Sequence, residues 1–289
     1  MRLLCFSFFF LWGSVTSAQT LNWVWLDFPP AYIKDGPLAG KGIVRRWLPE
    51  LQRQVLPEMK HQFVEMTPAR AWRTMQNDEL LCHPASLKSK ERSQYAVFSR
   101  PWTLVPQKSV ILRAGDSSRW FGEQQSISAA ELFQRQDLIL GLAKDNSFYV
   151  HLSPWLSDSH AENHAVRLGS RLALSNLHRM LMSKRIDYML EYPWVIGYFD
   201  KILIQQGRYL RDPIVSLPFR EMPQFAKAYI SCTNNAEGRR LIEQINHWLE
   251  KNINTDQFRA HVGVWLDKES RKRFQQAYQQ QIVKSESPE

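Results

Sequence analysis

The chain has only three cysteines in 289 residues, no glycine-rich loop of the kind that cradles phosphate, and no Gly-x-Ser-x-Gly elbow. Nucleotide-dependent and serine-hydrolase chemistry therefore have no anchor in it. Nothing after Ala18 is a long enough apolar run to cross a bilayer, which takes about 20 residues as a helix. Internal repeats and low-complexity segments are also missing, which excludes a solenoid. Two histidines stand four apart in His160-Ala161-Glu162-Asn163-His164. The glutamate is misplaced for a zinc-protease helix and no third ligand is evident, so the stretch reads as a polar loop or an exposed helix face. No metal and no cofactor are expected.

What is present begins with an export signal. Arg2, the apolar run Leu3 to Trp12 and the small residues Ser14-Val15-Thr16-Ser17-Ala18 follow the order of a secretory signal peptide, with a mature start at Gln19. The alternative, a buried core helix, lacks an amphipathic pattern and a helix stop. Cys5 lies too far before the small residues for a lipoprotein anchor. A soluble, periplasmic protein is expected, and a monomer.

The formal charge is +9 for the whole chain and +8 once Arg2 is removed. In a cytosolic protein that balance would point to nucleic acid, but export argues against such a partner. An acidic solute, an anionic envelope polymer or a membrane surface remain. Export also discards Cys5 and leaves Cys82 and Cys232, an even pair in an oxidising compartment, which predicts a disulfide. Two buried free thiols are the alternative.

Along the chain, short apolar strands alternate with helices. Strands are expected at Trp23 to Leu26, Gln62 to Glu65 and Leu80 to Cys82. Between them come a helix from Ile43, whose apolar residues Val44, Trp47, Leu48, Leu51 and Val55 share one face, and a helix from Ala69 to Gln76. The middle region offers strands at Val110 to Leu112, Leu138 to Ala143 and Ile186 to Leu190, and a helix from Leu172 to Met182. Near the C-terminus a strand at Ala228 to Cys232 precedes an amphipathic helix from Gly238 to Lys251, and a last helix spans Lys268 to Val283 before a frayed tail. This alternation predicts an α/β protein with mainly parallel sheets.

Four segments carry a resemblance: Trp23 to Tyr32 (WVWLDFPPAY), Gly40 to Gly42 (GKG), Thr67 to Trp72 (TPARAW) and Lys88 to Trp102 (KSKERSQYAVFSRPW). In this order they resemble a type II periplasmic solute-binding protein, like the extracellular family 3 receptors of polar amino-acid ABC transporters, in a branch whose solute is unassigned. The resemblance implies a two-lobed fold, with lobe 1 formed by 19–104 and 225–289 and lobe 2 by 105–224. It also implies a receptor, not an enzyme, that closes on a small polar or zwitterionic solute. Its partner would be an inner-membrane ABC permease or a membrane sensor.

The same resemblance nominates residues. Asp27 and Phe28 open the loop after the first strand, which continues to Tyr32. Arg92 occupies the place of the arginine that holds a ligand α-carboxylate, a task suited to a planar fork of donors; an ion pair with Glu91 is its structural alternative. Arg70 either reaches the cleft or ties the start of its own helix. Lys184-Arg185-Ile186-Asp187-Tyr188 resembles a strand entry in which glycine or a polar residue is usual where Lys184 stands. Glu191 is the nearest candidate to receive a ligand ammonium, and Phe28, Tyr32, Trp102 and Tyr192 are candidate apolar walls. Most of the 11 tryptophans must nonetheless be core. Cys82-His83-Pro84-Ala85-Ser86-Leu87 departs from the small hydroxyl residues common at that place. Two rivals follow: a signalling or assembly protein that docks another protein with this fold, and a dehydratase-like enzyme with Glu191 as its acid.

Overall fold

The computed structural model describes residues 19–143, 152–169, 173–208 and 211–284. The expected signal peptide Met1 to Ala18, Leu172 at the start of an expected helix, and 285–289 of the expected tail lie outside the described residues. Ten strands are described: β1 (Thr20–Trp25), β2 (Lys60–Glu65), β3 (Leu81–Ser86), β4 (Ala96–Pro106), β5 (Ser109–Arg113), β6 (Leu140–Ala143), β7 (Val166–Leu168), β8 (Tyr188–Glu191), β9 (Ile214–Leu217) and β10 (Phe225–Thr233). The helices are α1 (Ile43–Val55), α2 (Pro68–Gln76), α3 (Ala114–Phe121), α4 (Ala129–Phe133), α5 (Ser153–Leu156), α6 (His160–Asn163), α7 (Ala173–Met182), α8 (Trp194–Gln205), α9 (Ala236–Asn252), α10 (Asp256–Gly263) and α11 (Lys268–Tyr278). Among the described residues no helix is long and apolar enough to cross a membrane.

Two five-stranded sheets organise the chain, in the orders β2-β1-β3-β10-β4 and β7-β6-β8-β5-β9. Strand β10 returns to the first sheet only after the second is complete, so the chain passes between lobes twice. The two passages are neighbours: β4 and β10 pair antiparallel as far as Pro106 opposite Phe225, and the Gln107 amide donates to the Gln224 carbonyl at 2.8 Å. Each sheet holds two parallel and two antiparallel pairings, so the sheets are mixed and not mainly parallel. The passages cause this, because β10 meets both β3 and β4 head to tail, and β5 meets β8 and β9 likewise.

Hydrophobic spacing explains the layers. Leu21, Trp23 and Val24 of β1 are fully buried, as a strand covered on both faces requires. In α1 the stripe Ile43, Val44, Trp47, Leu48 and Leu51 is buried, and in α9 so are Leu241, Ile242, Ile245, Trp248 and Leu249. Cys82 and Cys232 sit opposite each other in the β3–β10 pair and form a disulfide. With 150 residues between them, the bridge removes on the order of 5 kcal/mol of freedom from the unfolded chain on the chain-entropy model.

The C-terminal segment also ties the lobes together. Gly197 in α8 approaches the Trp265 carbonyl so closely that a Cβ there would lie 2.4 Å from it. Within the first lobe, the Tyr278 hydroxyl of α11 donates to the Ile253 carbonyl at 2.9 Å, with the Trp102 carbonyl also within reach at 3.1 Å.

Candidate ligand-binding cleft

Between the two lobes lies a cleft of about 1170 Å³. Its first wall starts at the loop after β1. The amides of Ile43 and Val44, at the start of α1, donate to the carbonyls of Pro30 and Ala31 at 2.9 and 3.1 Å, and so fix that loop. Gly42 permits the approach, since a Cβ would stand 2.9 Å from those same carbonyls. Phe28 then reaches across to the other lobe, meeting Tyr192 edge to face at a 5.5 Å ring separation and Trp194 at 6.1 Å. Tyr32 lies inward, 2 % exposed and edge-on to Trp25, and burial pushes its hydroxyl pKa up. Its hydroxyl has no hydrogen-bond partner among the described residues.

Two arginines come from the same lobe. Thr67 caps α2 by accepting from the Arg70 amide at 3.3 Å, and Pro68 opens the helix, which places Arg70 in the first turn at the cleft. The expected tie of Arg70 to its helix is thus made by the backbone. Its guanidinium is exposed and has no acidic partner among the described residues. Arg92 lies flat over Trp72, 4.4 Å from the ring centroid, and donates to the Leu87 carbonyl at 2.8 Å. The alternative ion pair with Glu91 is not formed, and four of the five guanidinium N–H groups remain for other acceptors.

Behind Arg92 stands His83, 4 % exposed, stacked on Trp72, its Nδ1 accepting from the Ala85 amide at 3.2 Å. Burial first, and the Arg92 charge second, lower its pKa to about 3, so it is a neutral wall of the cleft. In the sequence His83 registers only as a departure from small hydroxyl residues.

The second wall is different. Lys108, in the passage between β4 and β5, is 6 % exposed and lies 3.4 Å from Oε1 of Glu191 and 5.3 Å from the Tyr192 ring. Glu191 also accepts from the Tyr192 amide at 3.3 Å. Burial lowers the Lys108 pKa, and Glu191 opposes that shift. Burial, then Glu191, raise that of Tyr192. Trp194 at the start of α8 is 3 % exposed, and its indole N–H has no acceptor among the described residues.

Asp27, Phe28, Tyr32, Arg70, Arg92, Glu191 and Tyr192 all line this cleft. Trp102 does not. It is 1 % exposed in the core of the first lobe, 4.5 Å from the Trp47 ring, and donates to the Pro84 carbonyl. Its place in β4 turns it towards α1 and α10, so it packs and does not wall the cleft. Lys108 and Trp194 are additions that no motif announced, and Trp72 and His83 lie in quoted segments without having been nominated. His160 and His164 stack on each other at 4.1 Å on short α6, away from the cleft lining.

No family profile and no characterised protein sequence matches this chain. Solved structures do. The probable amino-acid ABC transporter extracellular-binding protein YtmK from Bacillus subtilis is similar at 17 % identity and a TM-score of 0.58, over 86 % of this chain and 99 % of that one. An ancestral cationic amino acid solute binding protein is similar at 15 % identity and a TM-score of 0.61, over 86 % and 96 %. The BvgS VFT2 domain from Bordetella pertussis is similar at 15 % identity and a TM-score of 0.55, over 85 % and 93 %. The chain has the two-lobed α/β fold of type II periplasmic binding proteins.

Proposed function

We propose that this protein is an exported receptor that closes its two lobes on a small polar solute, amino-acid-like in size, and presents the closed form to an inner-membrane ABC permease or a membrane sensor. One observation carries the reading. A cleft between lobes collects, from one side, two guanidinium groups with no acidic partner among the described residues and, from the other, a buried ion pair with aromatic neighbours. Closure would exchange cleft water for contacts from both lobes. The structural neighbours named as amino-acid-binding proteins support the same class. In this reading the protein works in the periplasm as a monomer, and Glu191 binds or positions and does not transfer protons.

Native mass spectrometry of the exported protein, before and after denaturation, tests it. A co-purified small molecule released intact on unfolding is the expected result. No released species, together with no thermal stabilisation by any small solute, would overturn the receptor and favour docking to another protein.

A further inference from the structure

Several hydrogen-bond donors at the cleft are left unengaged among the described residues. Arg70 has no acidic partner among the described residues, and Arg92 has spent only one N–H, on Leu87. The indole N–H of Trp194 and the hydroxyl of Tyr32 are buried without a partner among the described residues, and both residues line the cleft. Such donors, withdrawn from water, call for an acceptor.

The acceptors are in the opposite condition. Among the described residues three carboxylates line the cleft, those of Asp27, Glu65 and Glu191. Glu65 is bound by Lys34. Glu191 is bound by Lys108, with both side chains nearly withdrawn from water. Asp27 is exposed and is not without a partner. An ammonium group entering this cleft would face the Lys108 ammonium at the very carboxylate that should receive it. Like charges at such a site are repelled more strongly for being desolvated.

From this we infer that the solute is an organic acid that carries carboxylate but no ammonium group. Arg70 and Arg92 would hold its anionic end, while Trp194 and Tyr32 would supply hydrogen bonds to a hydroxyl, carbonyl or second carboxylate. The aromatic faces of Phe28, Trp72 and Tyr192 would cover its carbon skeleton. A net charge of +9 on the whole chain would favour the approach of an anion.

The inference rests on the receptor reading, and the test separates the two. The mature chain is titrated, by thermal shift and calorimetry at pH 7, with L-amino acids and with the 2-hydroxy acids of the same side chains: alanine against lactate, aspartate against malate, glutamate against 2-hydroxyglutarate, phenylalanine against phenyllactate. The ammonium-free member of a pair is expected to bind about ten-fold tighter or better, the ratio for a charged group left without its partner. Lys108→Met, which uncovers Glu191, is expected to narrow that ratio. An amino acid that binds as tightly as its hydroxy acid overturns the inference and leaves the receptor standing. Failure of every pair to bind counts against both.

Discussion

The Lys108 ammonium lies 3.4 Å from the Glu191 carboxylate although 83 residues separate them in the chain. Strand register brings this about. Ser109 pairs with Glu191 in the antiparallel β5–β8 ladder, so the residue just before β5 must emerge beside the end of β8. The lysine therefore occupies the Glu191 carboxylate, and the chemistry of the second wall follows from one pairing register.

Arg92→Ala should weaken solute binding by about ten-fold or more, since a charged hydrogen-bonding partner contributes about 1.5–3 kcal/mol. Arg92→Lys should recover little. An ammonium cannot reproduce both the flat contact with Trp72 and the fork of donors. Calorimetry with the solute released in native mass spectrometry reads both variants; unchanged affinity in Arg92→Ala would remove this residue from the site.

Trp102 and Arg92 come from one sequence motif but should behave in opposite ways. Trp102→Ala is expected to cost about 3–5 kcal/mol in urea unfolding, because a large ring packed on Trp47 and Phe258 is lost. The milder Trp102→Phe should lower the midpoint while leaving affinity unchanged. A loss of affinity without a loss of stability would return Trp102 to the cleft.

Three neutral histidines set the response to acid. Burial lowers His83 to about 3, with Arg92 adding to the effect, and lowers His178 to about 4. It lowers His261 also to about 4, with Arg46 adding. In the unfolded chain each titrates near 6.5. Between these values the unfolded state binds more protons, so stability is full above about 6.5 and falls as pH drops towards 4 and 3. Urea midpoints at pH 7.5 and 4.5 should show the decline, and His178→Leu should flatten part of it. His178 is the cleanest probe because it stacks on Phe199 and lies outside the cleft lining. An unchanged slope in that variant would sink its share of the effect.

How far the sequence could be read depended on whether a signal was local. The stripes of α1 and α9 repeat every three or four residues and announce their helices and buried faces. Helix α8 gave no such stripe: Trp194, Val195, Ile196 and Phe199 are all buried, so several faces are apolar and periodicity disappears. The long strand β4 was hidden inside a stretch legible mainly as a motif. At the cleft, Arg70 and Arg92 could be nominated because flanking residues mark them. Lys108 carries no local mark, and its role depends on the β5–β8 register. His83 was visible as an oddity, but its neutrality comes from burial against Trp72 and the nearby Arg92 charge.

A final prediction concerns Lys184, where the resemblance expected glycine or a polar residue. The residue ends α7 with φ at 59°, in the left-handed region that side chains with a Cβ disfavour. The following Arg185 amide donates to the Met180 carbonyl at 2.9 Å, and the Lys184 amide to that of Leu181 at 3.1 Å. These bonds close the helix in the manner of a Schellman turn, and they require that conformation. Glycine adopts it without the steric penalty of roughly 1–2 kcal/mol per residue, although it also gives the unfolded chain more freedom. Lys184→Gly is therefore expected to raise stability by about 0.5–1 kcal/mol in urea, with affinity unaltered because the turn lies outside the cleft lining. Lys184→Val, β-branched at the same φ, should lower stability; equal midpoints for the glycine and valine variants would mean that the turn does not hold this geometry in solution.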